Sequence, residues 1–410
     1  MKTTPPHRYR NASRLVASSD PSWTTAQAHG LIDISATATP DGRLISSTGH
    51  EFINLCSCSY LGLHRHPKIL KAMRDVLSDG SQVHFSLSTV RIRPKLMDEA
   101  EALMGEIFGA HAILGLSASV LSASLLPLIA AGQLTDGQPT TMVFDKRAHF
   151  SMAYIKPICA DESEVLTIDH NDLNALADIC KTRTRVAYVA DGAYSTGGTT
   201  LMDGLLALQE KYGLFLYFDD AHSISVTGKN GEGLVRSHLK ELNPLTLVMA
   251  SLNKGFGTSG GVAVLNSNRF DQIIRRHGGP LGWSQSASVV TFAATKASAE
   301  IHLSDELGAL QKKLQQNIAL FDSIVSTQQE GAKLPVRLIP ADSDKQAIHM
   351  AEQLLSRGFY AAPVYFPIVA RGQAGVRILL RADIEEKDML RFAHAVAAVT
   401  ENNTQSEVAQ

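Results

Sequence analysis

The chain has 410 residues, with 38 Lys and Arg against 40 Asp and Glu, a net charge of -2. This length favours a large domain with a smaller partner domain, and the balanced charge argues against nucleic acid as a partner. The four cysteines include a C-x-C pair but no C-x-x-C, which argues against a metal site or a disulfide framework and favours a reducing, cytoplasmic setting. We therefore expect small-molecule partners or a second copy of the chain.

The first residues, MKTTPPHRYRNASRLVASSD, contain no apolar stretch typical of a secretory signal. We predict an N-terminal arm over residues 1–50, with roughly the first twenty residues loosely held. Residues 112–135 are uncharged and long enough to raise a membrane-spanning helix as an alternative. The serines in the first half of this segment and Pro127 in its second half favour a strand, a turn and a buried helix, so no membrane is expected.

Short apolar runs recur from residue 140 to 265, namely TTMVF, RVAYVA, LFLYF, TLVMA and GGVAVL. Their continuous apolarity is typical of strands covered on both faces, and helical segments separate them. The pattern predicts an α/β fold with a mostly parallel central sheet in a large domain over residues 51–285. A smaller α+β domain is predicted over residues 286–410, with a long polar helix over 300–325.

Four polar clusters follow predicted strands: AHFS, DGAYSTGG, DDAH and SLNK. Ligands collect at the carboxyl ends of the strands of such sheets, so the clusters are expected to face one crevice. Asp219 follows LFLYF directly, and a buried aspartate needs a cationic partner. Lys254 follows the next apolar run among glycines that let a ligand approach the backbone, and it is a candidate nucleophilic amine. A capping aspartate and a loop lysine are the alternatives.

The combination is more specific than its parts. Pyridoxal 5'-phosphate (PLP) needs a lysine for its aldehyde, an acid for its pyridinium nitrogen, a side chain that stacks on its ring and donors for its phosphate. Lys254, Asp219 and His149 can supply the first three. Ser117 and Ser119 precede a buried helix whose N-terminal amides can hold a phosphate, and Ser251 is a further donor.

The chain resembles the α-oxoamine synthases, which are fold-type I PLP enzymes, over roughly residues 50–395. The resemblance rests, in the family's order, on the segments INLCSCSYLGLHRHP, DKRAHFSM, DGAYSTGG, FDDAHSISVTGKNGEGLV, ASLNKGFGTSGG and GVRILLRADIEEKDM. It implies a decarboxylative condensation of an amino acid with an acyl thioester, giving an α-aminoketone. It also implies a homodimer with shared active sites.

The resemblance further implies a role for each matching residue. Lys254 would bind the aldehyde of the cofactor and later carry the α-proton, Asp219 would keep the ring nitrogen protonated, and His149 would stack on the ring. Arg377 would hold the amino acid carboxylate, with an ordinary strand-end arginine as the alternative. The remaining implied cofactor contacts are His222 and Ser195 near the ring hydroxyl, Ser117, Ala118, Ser119 and Ser251 at the phosphate, and Trp283, Ser284 and Gln285 reaching the phosphate of the partner chain.

Three departures from the family pattern border the substrate pockets. The glycine-rich segment is replaced by QVHFSLSTVRIRP (82–94), the SGY turn becomes Ser117-Ala118-Ser119, and Ile384 stands where a histidine is frequent. Some of these departures resemble the CqsA-type aminoketone autoinducer synthases. The amino acid, the acyl chain and its carrier stay open.

Two other classes of protein remain as alternatives. One is another fold-type I PLP enzyme, such as an aminotransferase, a lyase or an aldolase. The second is a non-catalytic scaffold on the same fold, which the altered glycine segment and the SAS turn would allow.

Overall fold

The computed structural model of the chain describes residues 12–80 and 82–408. Its strands are β1 (Ala36–Ala38), β2 (Leu44–Ser46), β3 (Glu51–Asn54), β4 (His111–Gly115), β5 (Thr141–Asp145), β6 (Val165–Ile168), β7 (Val186–Asp191), β8 (Phe215–Asp219), β9 (Thr246–Ser251), β10 (Gly261–Leu265), β11 (Val336–Pro340), β12 (Phe359–Tyr360), β13 (Ala362–Val364) and β14 (Gly375–Leu379).

The α-helices are α1 (Ala12–Ala28), α2 (Pro67–Ser78), α3 (Lys95–Phe108), α4 (Ala118–Ala130), α5 (Phe150–Ala153), α6 (Lys156–Glu162), α7 (Leu173–Thr182), α8 (Met202–Tyr212), α9 (Gly233–Ser237), α10 (Asp271–His277), α11 (Pro280–Trp283), α12 (Val289–His302), α13 (Asp305–Asp322), α14 (Asp344–Ser356) and α15 (Glu386–Val408). Short 3-10 turns cover Leu63–Arg65 and Asn268–Phe270. The chain divides into two compact units, Leu61–Lys312 and the described residues on either side of that range.

The larger unit contains a seven-stranded sheet in the order β4-β10-β9-β8-β7-β5-β6. Neighbouring strands from β9 to β6 run parallel, and β10 is antiparallel to both β9 and β4. The five predicted apolar runs are β5, β7, β8, β9 and β10, and β7 and β8 are buried along their whole length. The predicted mostly parallel sheet covered by helices is therefore confirmed.

Residues 112–135 fold as the sequence predicted, into a strand, a turn and a buried helix. Ser117 caps α4 by accepting a hydrogen bond from the amide of Val120 at 3.2 Å, and most of the apolar side chains of α4 are buried. Within residues 12–80 and 82–408, no helix is both long and apolar enough to cross a bilayer.

The smaller unit holds two further sheets, β1-β2-β3-β12 and β11-β14-β13. β12 adds to β3 in parallel, with Phe359 opposite Ile53. The predicted N-terminal arm over residues 1–50 is not a separate arm over its described part. Residues 12–28 form α1 and residues 36–54 form three strands, all of them in the smaller unit. Trp23 on α1 packs edge-on against Tyr365 with ring centroids 5.1 Å apart, which anchors the helix. Residues 1–11 of the arm lie outside the described residues.

The two units differ from the predicted domain boundaries at residues 50 and 285. Residues 286–312 belong to the larger unit, because α12 packs on α2 and α3 there. The predicted long helix over 300–325 is two helices, since α12 ends at His302 and α13 begins at Asp305.

Candidate active site

The candidate groups of the larger unit lie at or just after the carboxyl ends of five strands. Ser117 follows β4, His149 follows β5, Ser195 follows β7, Asp219 ends β8, and Ser251 ends β9 three residues before Lys254. These strands run in one direction, so their ends meet at one edge of the sheet. The single crevice expected from the sequence is therefore compatible with the topology.

Two buried aspartates lie side by side at this edge. Asp191 and Asp219 are register partners at the ends of β7 and β8, exposed by only 3% and 4%. Burial raises the pKa of the Asp191 carboxyl well above its usual range, the Asp219 carboxylate raises it further, and Lys254 opposes the rise. Two adjacent carboxyls in a desolvated site favour a shared cation or a proton between them. The edge therefore has the electrostatics of a cation-binding site.

Lys254 lies on a tight loop that joins β9 to β10. Its carbonyl accepts a hydrogen bond from the Gly257 amide at 3.0 Å, and the amide of Thr258 donates to the carbonyl of Leu252 at 2.9 Å. Gly257 has a φ of 75°, a conformation that favours glycine. The lysine side chain is half-buried, and its charge lowers the pKa of Asp191. The structure thus brings the predicted amine close to the buried acids.

His149 caps the short helix α5 and is tied to the aspartate pair. Its backbone amide donates to Oδ2 of Asp191 at 2.8 Å. Its Nδ1 lies 2.9 Å from the hydroxyl of Ser151 and accepts from the Ser151 amide at 3.3 Å. The residue is exposed. Its stacking role remains a prediction.

The turn after β4 provides candidate donors for an anion. The amides of Ala118 and Ser119 open the first turn of α4, where no carbonyl precedes them to accept an intrahelical bond. Gly261 faces this turn, and a Cβ at that position would lie 2.7 Å from the amide nitrogen of Ala118. A side chain on Gly261 would therefore fill the approach to the helix terminus.

The other predicted contacts have different degrees of burial. His222 is exposed by 4%, whereas Ser195 is half-buried in the turn that follows β7. Ser251 is half-buried, and its hydroxyl donates to Oδ1 of Asn253 at 2.5 Å. Their contacts to a cofactor remain predictions.

Arg377 lies on β14 of the smaller unit. Its Nε is buried without a hydrogen-bond partner within residues 12–80 and 82–408. An unpaired guanidinium nitrogen is costly to bury, and a carboxylate is its natural partner. Cys56 lies close enough for this guanidinium to influence the pKa of its thiol, which burial raises. The predicted role of Arg377 in holding a carboxylate is consistent with this environment.

The predicted partner-chain contacts lie in and just after α11. The indole of Trp283 donates to the carbonyl of Arg276 at 2.9 Å, Ser284 donates to the carbonyl of Pro280 at 2.5 Å, and Gln285 is exposed. The segment 82–94 is mostly exposed. Its apolar exposed side chains are Val83, Phe85, Leu87 and Ile92.

Two groups at this edge were not among the predicted site residues. Asp191 ends a fully buried apolar strand in the same way as Asp219, and this pattern could have identified it. Asp145 ends β5 and accepts hydrogen bonds from Tyr188 at 2.8 Å and from the Arg147 amide at 2.7 Å. Nδ1 of His170 lies 3.1 Å from Oδ2 of Asp145. His170 follows β6, which was not predicted as a strand. Asp145 also follows a predicted apolar run and could have been identified in the same way as Asp191, whereas its contact with His170 could not.

A family model described as aminotransferase class I and II matches residues 167–396, which is more than half of the chain. An 8-amino-7-oxononanoate synthase of Petrotoga mobilis is 25% identical over 377 residues, covering 88% of this chain and 92% of the relative. A serine palmitoyltransferase of Bacteriovorax stolpii is 24% identical over 361 residues, covering 85% of this chain and 82% of the relative.

The solved structures support the same fold. A serine palmitoyltransferase from S. paucimobilis, solved with bound PLP-myriocin aldimine, matches with a TM-score of 0.82 at 18% identity, over 95% of this chain and 98% of that one. An 8-amino-7-oxononanoate synthase from Francisella tularensis matches with a TM-score of 0.67 at 18% identity, over 87% and 99% of the two chains. At this identity the likeness concerns the fold alone.

Proposed function

Since the chain belongs to the aminotransferase class I and II family, we propose that it is a PLP-dependent α-oxoamine synthase. It joins an amino acid to an acyl thioester and yields an α-aminoketone, CO2 and a free thiol. The observation that carries the proposal is the placement of Lys254 beside the buried pair Asp191 and Asp219 at the carboxyl edge of the sheet. Relatives that are 8-amino-7-oxononanoate synthases and serine palmitoyltransferases support this reaction class.

The residues at this edge fit the chemistry of PLP. The buried carboxyls of Asp191 and Asp219 would stabilise a positive ring nitrogen, which relieves their mutual repulsion. The N-terminal turn of α4 offers amides to a phosphate, and Gly261 leaves that approach free. Lys254 offers a primary amine to an aldehyde. When bound, PLP supplies an electron sink for the α-carbon of an amino acid.

Each of these side chains then has a defined task. With PLP bound, Lys254 would take the α-proton of the amino acid at Nζ, and Asp219 would keep the ring nitrogen protonated. His149 would cover one ring face and limit the access of water. We propose a carboxylate as the partner of Arg377, because its buried Nε has no partner within the described residues. The overall condensation would join the α-carbon of the amino acid to the acyl carbonyl and would release the thiol and the amino acid carboxylate as CO2.

The direct test is an assay of the purified holo-protein with a panel of amino acids and acyl-CoAs. We expect thiol release only when a suitable amino acid is present, together with an aminoketone of the corresponding mass. The family description also favours an aminotransferase as a second candidate. Conversion of the amino acid to a 2-oxo acid without thiol release would support that candidate and contradict the synthase.

We further propose a cytoplasmic homodimer in which both chains complete each site. Large apolar side chains are exposed on the larger unit, and a partner chain that covers them would remove this apolar area from water. They include Val83, Phe85, Leu87, Ile92, Phe150, Tyr154, Ile158 and Trp283. The four cysteines are free thiols, which is consistent with a reducing compartment.

Replacement of one of these apolar side chains tests the dimer. Leu87→Glu places a charge on a residue that is 69% exposed in the single chain. We expect this variant to shift the protein from dimer to monomer in light scattering after gel filtration. Val16→Glu, at a residue 60% exposed on α1, is the matched control and should leave the dimer intact. A wild-type protein that is monomeric at micromolar concentration would contradict the proposal.

A further inference from the structure

Two polar side chains on α12 reach the two loops that carry the candidate catalytic residues. The hydroxyl of Ser298 donates to the carbonyl of Phe256 at 2.7 Å, two residues after Lys254. One turn later, Nε2 of His302 lies 2.8 Å from the hydroxyl of Ser225, three residues after His222. Ser298, Ser225 and His302 are each exposed by no more than 1%. A single helix therefore contacts both loops through buried hydrogen bonds.

The hydrogen bonds fix the tautomer of His302. Its Nδ1 lies 2.8 Å from the backbone carbonyl of Ser298, which can only accept, so Nδ1 carries the proton. Nε2 is then the acceptor for the Ser225 hydroxyl. Burial lowers the pKa of His302 to about 4, so the ring is neutral at physiological pH. The ring also stacks on Phe256 with centroids 4.5 Å apart.

Ser225 has a conformation that needs such support. Its φ of 70° is in the left-handed region, which is strained for a residue that carries a side chain. The Ser225 amide donates to the carbonyl of Gly231 at 2.7 Å, and the side-chain amide of Gln311 donates to the Ser225 carbonyl at 3.0 Å. Together with His302, these contacts hold both the backbone and the hydroxyl of Ser225.

The two loops touch next to Lys254. A Cβ on Gly255 would lie 2.8 Å from the carbonyl oxygen of Ile224 and 3.0 Å from the Cβ of Ser225. Because the backbones are this close, the position of the Ser225 turn restricts the position of the Lys254 loop. A displaced turn would move the amine relative to Asp219 and His222.

We propose that His302 and Ser225 are positioning residues that hold the loop after Asp219 and His222 against the loop that carries Lys254. The proposal rests on the proposed function, in which these loops bind PLP. His302 acts through the hydrogen bond that it accepts from the Ser225 hydroxyl and through its contact with Phe256. Neither His302 nor Ser225 takes part in the chemistry.

Two amide substitutions separate the contacts of the ring. His302→Gln places an acceptor near the position of Nε2, whereas His302→Asn places its polar group near Nδ1 and leaves the Ser225 hydroxyl without an acceptor. We expect the Asn variant to bind PLP about tenfold more weakly, the loss typical of a buried unpaired hydroxyl. The Gln variant should stay within about threefold of wild type. Ile301→Val, at a neighbouring core residue of α12, is the control for general loss of packing and should bind PLP like wild type.

A double-mutant cycle tests the partner. Ser225→Gly removes the hydroxyl and relieves the left-handed strain, so it should weaken PLP binding by only about twofold to threefold. In the Ser225→Gly background, His302→Asn should cause little further loss of PLP affinity, because the hydroxyl that His302 contacts is already absent. PLP binding is measured by absorbance titration of the cofactor-free protein. Additive losses in the cycle would overturn the proposed coupling.

Hydrogen exchange in the cofactor-free protein provides a second readout. His302→Asn should accelerate amide exchange in residues 222–228 and 254–258, whereas His302→Gln should not. If wild-type protein fails to bind PLP, the proposed function fails, and the exchange data still test whether the loops are held by His302. Equal exchange in the Asn, Gln and wild-type proteins would overturn the inference. If the His302 variants do not fold, amide hydrogen exchange is compared between Ser225→Gly and Ser225→Ala. We then expect faster exchange in residues 222–228 and 254–258 of Ser225→Ala than of Ser225→Gly.

Discussion

The two edges of the seven-stranded sheet differ in where their charged side chains lie and in whether those side chains form ion pairs. At the amino edge, Arg185 pairs with Asp136 at 2.5 Å, and both side chains are at least one-third exposed. At the carboxyl edge, Asp191 and Asp219 are buried side by side, and no ion pair joins either to a cation within the described part of the chain. Surface pairs contribute little to stability, whereas adjacent buried carboxyls destabilise the fold unless a cation joins them. A cationic ligand at the carboxyl edge would remove this cost.

The largest expected effect follows from removing the amine at the carboxyl edge. Lys254→Ala should abolish the visible absorption of the Schiff base between Nζ and PLP and lower the rate of thiol release by about 10³-fold or more, because the base for the α-proton is lost. Stopped assays of acyl-CoA consumption measure the rate. Lys229→Ala, at an exposed lysine, is the control. A variant that retains both absorption and rate would exclude Lys254 as the amine.

A smaller loss is expected when the acid is neutralised without a change of shape. Asp219→Asn should lower kcat by about 10²-fold or more, because the ring nitrogen loses the charge that keeps it protonated. The same change should lower the pKa of the neighbouring Asp191 carboxyl, since Asp219 raises that pKa. Isotope-edited infrared spectra of the Asp carboxyls report the pKa. An unchanged kcat would mean that the buried pair has no part in the reaction.

A change in the pH dependence of stability is expected at Asp220, next to the pair. Burial raises the pKa of this carboxyl to about 7. Its folded-state pKa lies above an unfolded value of about 4, so its ionisation destabilises the fold progressively as the pH rises from about 4 to about 7. Asp220→Asn should remove this pH dependence, which changes the free energy of unfolding by roughly 2–4 kcal/mol between about pH 4 and about pH 7. Urea unfolding at a series of pH values measures it.

The control for Asp220→Asn compares slopes rather than absolute stabilities. The substitution changes local hydrogen bonding, because Oδ2 of Asp220 accepts from the Val235 amide at 3.0 Å. That offset in the free energy of unfolding is independent of pH, whereas the titration is not. A variant with the same slope as wild type between pH 4 and 7 would show that Asp220 is ionised in the folded chain with an ordinary pKa.

The smallest effect is expected at the amino edge. Asp136→Asn breaks the exposed pair with Arg185 and should change PLP affinity and kcat by less than about twofold. The hydrogen bond from Arg185 lowers the pKa of Asp136, so any stability that it contributes is lost as the pH falls, opposite to Asp220. The same assays measure both variants. A large loss of activity in Asp136→Asn would remove the contrast between the edges.

The sequence predicted the parts of the molecule that depend on local pattern. Continuous apolar runs predicted five strands of the central sheet, and polar residues after them predicted one crevice. The strand order and the antiparallel direction of β10 depend on contacts between distant residues, and no local pattern contains them.

The residues of the candidate site likewise fall into those that a local sequence pattern identifies and those that only tertiary packing brings into place. Lys254 and Asp219 follow apolar runs and could be singled out from the sequence alone. His302 could not, because it is 80 residues from His222 in the chain and meets Ser225 only through the packing of α12. The loose arm expected over the first twenty residues is wrong for residues 12–20, which belong to α1, and α1 is held by the contact of Trp23 with Tyr365 from a distant part of the chain.

The most direct test of the central claim is the stoichiometry of a single reaction. Purified holo-protein is incubated with an amino acid labelled with ¹³C at its carboxylate and with an acyl-CoA, and released ¹³CO2, free thiol and aminoketone are quantified together. We expect the three products to form in equal amounts and none to form with Lys254→Ala. Thiol release without ¹³CO2, or a 2-oxo acid that retains the label, would contradict it.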